Sequence, residues 1–198
     1  MTSGSVGYFY TGNDYLDKAK MVINATYIHR YLSTRGWSKN AIAGMLGNME
    51  TESTLNPGIW EGLSNSDPSR GFGLVQWTPS TKYTAWCSER DIDPTHMDSA
   101  LARIEYEVEN GLQWIQTDMY PLTFKAFKTS TATPTYLANA FLYNYERPAE
   151  TPQPARGEQA EEWYKMIGGD PMTPNPPTQK EDKGLGLLLL LTATRRRF

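Results

Sequence analysis

Residues 44–58 read GMLGNMETESTLNPG. With Ile42 just upstream, Met45, Leu46 and Met49 fall at i, i+3, i+4 and i+7, the apolar stripe of an amphipathic helix. Ser38 is placed to cap its start, and Leu55-Asn56-Pro57-Gly58 breaks it, so the spacing predicts a helix from Ser38 to about Ser53. Two carboxylates remain at its end. At about 100° per residue, Glu52 lies roughly 70° from the mean direction of the stripe and Glu50 roughly 90° away on the other side. Periodicity therefore separates them little. Position along the helix says more, because Glu52 falls in the last turn, where unpaired carbonyls make the potential negative and helix stability asks for a cation. Partial burial beside that negative end favours the uncharged acid, the form that can protonate a leaving alkoxide. The competing reading is a solvated surface glutamate.

On the N-terminal side, Val22, Ile23, Tyr27 and Tyr31 recur at helical spacing between Asp14 and about Thr34, and Gly36 ends the run. On the C-terminal side, GLSNSDPSRGFGLVQWTPS is rich in Gly, Ser, Asn and Pro around one short β-prone run, Gly73 to Trp77. A loop with a small β-hairpin or tongue is expected there. A short helix follows from Pro79 or Ser80 to about Arg90. A longer one runs from about Asp98 to Thr117, with Leu101, Ile104, Val108, Leu112 and Ile115 as its buried positions. Thr133-Pro134 is an N-cap and first-turn pair opening a helix to about Tyr145. A last helix runs from about Pro154 to Ile167 and stops at Gly168-Gly169. The fold class expected is mainly α (α+β), a helical domain over residues 1–169 with one small β-containing insertion after the second helix.

Beyond that point the composition changes. Residues 170–184 form a Pro-rich polar linker without the means to build a core. Residues 185–198, LGLLLLLTATRRRF, pair an apolar run with an arginine cluster. The run is too short for a bilayer span of about 20 residues, but such a tail allows membrane contact or docking on a partner. The N-terminus lacks the basic-then-apolar pattern of a secretory signal.

The formal net charge of −3 supplies no basic field for nucleic acid, so no nucleic-acid partner is expected. Cys87 is the single cysteine, which excludes an internal disulfide and reads as a small core residue. His29 and His96 lack ligand spacing, so neither a metal nor a cofactor is expected. The Gly-rich GFGLVQW run lets a substrate approach backbone closely, and it carries two groups suited to a sugar, the Gln76 amide and the Trp77 indole. A carboxyl at a helix end facing such a loop suits a glycan chain.

Four blocks in order, AIAGMLGNMETESTLNPGIW, GFGLVQWTP, FLYNYERP and RGEQAEEWY, resemble the phage tail lysozyme family across about residues 14–167. Its members are peptidoglycan hydrolases at the tail tip of short-tailed phages of Gram-positive bacteria. More distantly, a helix-ending glutamate followed by GLVQ is similar to goose-type lysozymes and lytic transglycosylases. The resemblance implies a lysozyme-like fold, bacterial peptidoglycan as substrate, neighbouring phage tail proteins as partners and a place in the virion tail tip. It also implies that the catalytic acid of the GNMxxE motif is Glu52, with Glu50 left to the surface. By the same resemblance Gln76 contacts substrate, and Tyr145 and Glu146 belong to the region that supports the acid. Some members continue into a zinc endopeptidase domain; no His/Asp cluster follows the linker here, so no such second activity is expected.

A two-carboxylate glycosidase needs a partner for Glu52 at roughly 5–5.5 Å or roughly 6.5–9.5 Å, depending on stereochemistry. Asp67, in the SNSDPSRG stretch, is the candidate, with Glu61 as the alternative; the competing reading of Asp67 is a turn former. Without a second carboxylate, Glu52 could serve as acid and base with the substrate's own C6 hydroxyl as nucleophile, which is lytic transglycosylation. The expected reaction is hydrolysis of the β-1,4 bond between N-acetylmuramic acid and N-acetylglucosamine. A non-catalytic peptidoglycan-binding module on the same scaffold is the rival.

Overall fold

The computed structural model describes residues 8–64, 67–149 and 151–168. The linker and tail read at 170–184 and 185–198 lie outside the described residues. Among the described residues the domain has seven α-helices: α1 (Lys18–Ser33), α2 (Lys39–Ser53), α3 (Thr81–Ser88), α4 (Met97–Asn110), α5 (Phe124–Thr129), α6 (Pro134–Phe141) and α7 (Pro154–Met166). A π-helical turn, Leu142–Glu146, continues α6.

The centre is α2. Ser38 caps it, its side chain accepting from the Ala41 amide, as the sequence indicates. Every residue from Ala41 to Met49 is buried, polar Asn48 included, so the helix is enclosed rather than striped. Helices α7, α6, α1 and α5 pack around it. The close approach of two of them depends on small residues. A Cβ on Gly44 would stand 2.8 Å from Leu137 Cβ and 2.9 Å from the Ala138 amide nitrogen of α6. One on Gly47 would stand 2.3 Å from the Arg156 carbonyl oxygen and 2.9 Å from the Ala160 amide nitrogen of α7. The two glycines that interrupt the apolar stripe are therefore the seats of α6 and α7.

Three expectations are corrected. The β-hairpin is reduced to two isolated antiparallel bridges, Trp60 with Phe72 and Phe72 with Trp77. The chain reverses too soon to extend: Phe72 and Trp77 exchange backbone hydrogen bonds of 3.3 and 3.1 Å across a turn in which the Gln76 amide donates to the Gly73 carbonyl. The helix expected to reach Thr117 stops at Asn110, because Gly111 adopts a left-handed conformation, φ 61°, and caps it. Leu112 and Ile115 are consequently exposed rather than buried. Helix α5 was not anticipated. It is six residues long, and its two buried aromatics, Phe124 and Phe127, are too few to establish a period.

Candidate active site

A cleft of about 640 Å³ opens where the C-terminal end of α2, the 59–78 loop and the π-helical turn meet. Glu52, Gln76, Trp77, Tyr145 and Glu146 all line it, as do Trp60 and Glu61; Asp67 does not.

The end of α2 is built to present Glu52. Thr54 and Leu55 both take left-handed backbone, φ 50° and 59°, turning the chain off the helix axis. Ser53 Oγ donates to the Leu74 carbonyl at 2.8 Å, tying the last turn of α2 to the 59–78 loop. Glu52 keeps 22% of its side chain exposed, and its Oε1 accepts from Arg156 Nη2 at 2.6 Å. Arg156 is 4% exposed, and its other two nitrogens are also engaged: Nη1 donates to Asn48 Oδ1 at 3.1 Å and Nε to Gln153 Oε1 at 2.6 Å. Asn48 is held in turn by donating to the Gly44 and Ala138 carbonyls. One oxygen of Glu52 is thus fixed by a buried chain of α2, α6 and α7 groups, on a carboxyl that lines the cleft.

Glu146 sits in the same wall. Its Oε1 is sealed from solvent and has no hydrogen-bond partner. Burial pushes this carboxyl well above its ordinary range, and the nearby charge of Glu52 pushes it further, against the pull of Arg156.

Beneath the cleft floor, Glu107 of α4 collects three donors: Arg103 Nε at 2.9 Å, Trp77 Nε1 at 3.0 Å and the Tyr145 hydroxyl at 2.5 Å. Burial raises the Glu107 carboxyl, and these hydrogen bonds oppose it. Burial likewise raises the Tyr145 phenol, with the Glu107 charge adding to it. The sequence offers the Trp77 indole to a sugar and places Tyr145 in the region that supports the acid. In the structure both are nearly fully buried, with Trp77 stacked on Tyr83 at 4.3 Å, and their polar groups are spent on Glu107. They position the cleft wall. Tyr145→Phe leaves Glu107 Oε2 without its donor; the expected cost is about 1–3 kcal/mol, read as a melting temperature lower by roughly 2–12 °C.

Trp60 is the more open ring. It is partly exposed, lines the cleft and leans on Phe72 at 4.7 Å. Gln76 turns its amide inward, donating from Nε2 to the Gly73 carbonyl at 2.9 Å. Glu61 accepts from the Gly71 amide at 2.8 Å, which braces the loop. Asp67 accepts from the Ser69 hydroxyl and amide at 2.7 and 3.0 Å, bonds that hold its carboxyl below the usual range. It is engaged within its own turn, in agreement with the turn-former reading. Glu50, assigned to the surface by the sequence, is instead 15% exposed. It accepts from Lys18 Nζ at 3.0 Å and from Trp163 Nε1 at 2.6 Å, joining α1, α2 and α7. Arg156 and Glu107 escaped sequence reasoning because no local spacing links them to α2.

The sequence profile described as phage tail lysozyme matches residues 23–167. Morphogenesis protein 1 of Bacillus phage B103 is 54% identical over 161 residues, which make up 81% of this chain and 44% of that relative. The chain spans less than half the length of this curated relative.

Proposed function

The chain belongs to the phage tail lysozyme family, and from that premise we propose that it hydrolyses the β-1,4 bond between N-acetylmuramic acid and N-acetylglucosamine in bacterial peptidoglycan. Glu52 is the general acid that protonates the bridging oxygen. The observation that carries this reading is the placement of Glu52: one carboxyl oxygen is clamped by Arg156 at 2.6 Å, on a side chain that lines a cleft of about 640 Å³. A pocket in the range of roughly 300–1,000 Å³ suits a ligand of a few sugar rings. Trp60 offers a partly exposed ring for stacking a sugar, beside the 71–77 turn to which it is bridged through Phe72. Gln76 and Glu61 shape that turn.

The product identifies the reaction. Mass spectrometry of fragments released from purified walls is expected to show N-acetylmuramic acid at new reducing ends. A 1,6-anhydro product would replace hydrolysis by lytic transglycosylation, and no product would leave a binding module. The relative's name, a phage morphogenesis protein, supports a role as a virion component, and the family description supports one that opens the host wall. A place at the tail tip beside other tail proteins follows from the family resemblance.

A further inference from the structure

Behind Glu52 lies a buried run of side chains in which each bond fixes the direction of the next. Asn48 donates from Nδ2 to the Gly44 carbonyl of its own helix at 3.0 Å and to the Ala138 carbonyl of α6 at 2.9 Å. That turns Oδ1 toward α7, where it accepts from Arg156 Nη1 at 3.1 Å. An amide does both jobs; an aspartate would lack the donors and a leucine would lack everything. Gln153 Oε1 holds Arg156 Nε at 2.6 Å. With two of its three nitrogens held, the planar guanidinium is fixed in orientation and aims Nη2 at Glu52 Oε1, 2.6 Å away. The contact is single rather than bidentate, since among the described residues no donor meets Glu52 Oε2. Oε1 is thus occupied by a group that never gives up its protons. The proton of the acid belongs on Oε2, on a side chain that lines the cleft.

We propose that Arg156 is a positioning residue that divides the two oxygens of Glu52 between anchoring and chemistry: Oε1 is held against the protein, and Oε2 alone carries the proton to the bridging oxygen. This rests on the glycosidase reading above and adds to it which oxygen reacts and what aims it. The Oε2 proton passes to the glycosidic oxygen, and the C1–O4 bond breaks with its electron pair on that oxygen. Water supplies hydroxide to C1, and the proton it releases restores Oε2. Aim matters because proton transfer needs heavy atoms within about 2.6–3.2 Å, and a misplacement of about 1 Å can cost about 10²-fold in rate. An untethered glutamate on the last turn of a helix would sample several rotamers. Pinning one oxygen to a guanidinium that is itself pinned at two points removes that freedom. The sugar-facing loop is held independently of Arg156, with Trp60 and Trp77 each bridged to Phe72. Misaiming Glu52 therefore acts on kcat rather than on KM.

The test uses the full chain and soluble glycan strands, with products counted by mass spectrometry. Arg156→Lys keeps the positive charge, but one ammonium cannot serve Asn48, Gln153 and Glu52 as the planar fork does. Its kcat is expected to fall about 10–10²-fold, with KM within about twofold of the parent. The same substitution in a Glu52→Gln background should lower the residual rate by less than about twofold, because no Glu52 proton is left to aim. A merely structural role would repeat the full loss in both backgrounds, and that result would overturn the proposal. So would a loss carried by KM, or a folded Arg156→Lys protein with the parental kcat. Gln153→Ala is the second variant, which leaves the guanidinium in place and removes its Nε bond. It is expected to give a smaller loss of kcat that is again absent from the Glu52→Gln background. If Arg156→Lys does not fold, this second cycle decides by the same criteria. A parent that releases no fragments would overturn the glycosidase reading itself, whereas normal cleavage by the parent with additive losses would overturn only the role of Arg156.

Discussion

Glu52→Gln lowers turnover by about 10²–10⁴-fold while glycan binding stays within a few-fold of the parent. The size follows from the role. Gln keeps an oxygen where Glu52 Oε1 accepts from Arg156, so the clamp through Asn48 and the α2–α7 contact survive. What is lost is the transferable proton, which matters only as the bridging oxygen acquires charge. The loss therefore belongs in kcat rather than in affinity. Turbidity clearing of purified walls reads the rate, and pelleting with intact walls reads binding. A variant that clears walls at the parental rate would remove Glu52 from the chemistry. One that loses binding in proportion to rate would make it a substrate contact.

Gly47→Ala has the largest effect expected on the scaffold. The added methyl would stand 2.3 Å from the Arg156 carbonyl oxygen and 2.9 Å from the Ala160 amide nitrogen, both backbone atoms that cannot rotate away. Helix α7 must move off α2. Overpacking of this kind costs about 1–3 kcal/mol, equivalent to a melting temperature lower by roughly 2–12 °C in a domain of this size. The displacement also carries Arg156 away from Glu52, so activity falls in protein that remains folded. Thermal denaturation and wall clearing on the folded fraction check both effects. A variant with parental stability would mean that α7 does not sit as closely on α2 as the structure has it.

The sequence carried most of the helical frame. Ser38 and Asn56-Pro57 bracket α2 by capping and breaking chemistry that acts within a few residues, so the limits of that helix were readable. The same local logic misjudged α4, where one glycine in left-handed backbone outweighed a continuing apolar period. It also took Gly73–Trp77 for a strand because β-prone residues say nothing of where a turn tightens. The candidate site was legible only in part. Periodicity left Glu50 and Glu52 nearly equal, and the family resemblance chose between them. What distinguishes them physically lies far along the chain: Trp163 and Lys18 engage Glu50, and Arg156, 104 residues on, engages Glu52. That Trp60 rather than Trp77 is the partly exposed ring has a similar origin. Trp77 is drawn inward by Glu107, thirty residues away on α4, a contact with no local signature.

The central claim is that the carboxyl of Glu52 breaks a glycosidic bond in this cleft. Its most direct measurement is the number of new muramic acid reducing ends released from purified walls, with the parent and Glu52→Gln digested side by side and counted by mass spectrometry. The account predicts steady release by the parent and about a hundredth of that or less by the variant. Equal release by the two would contradict it.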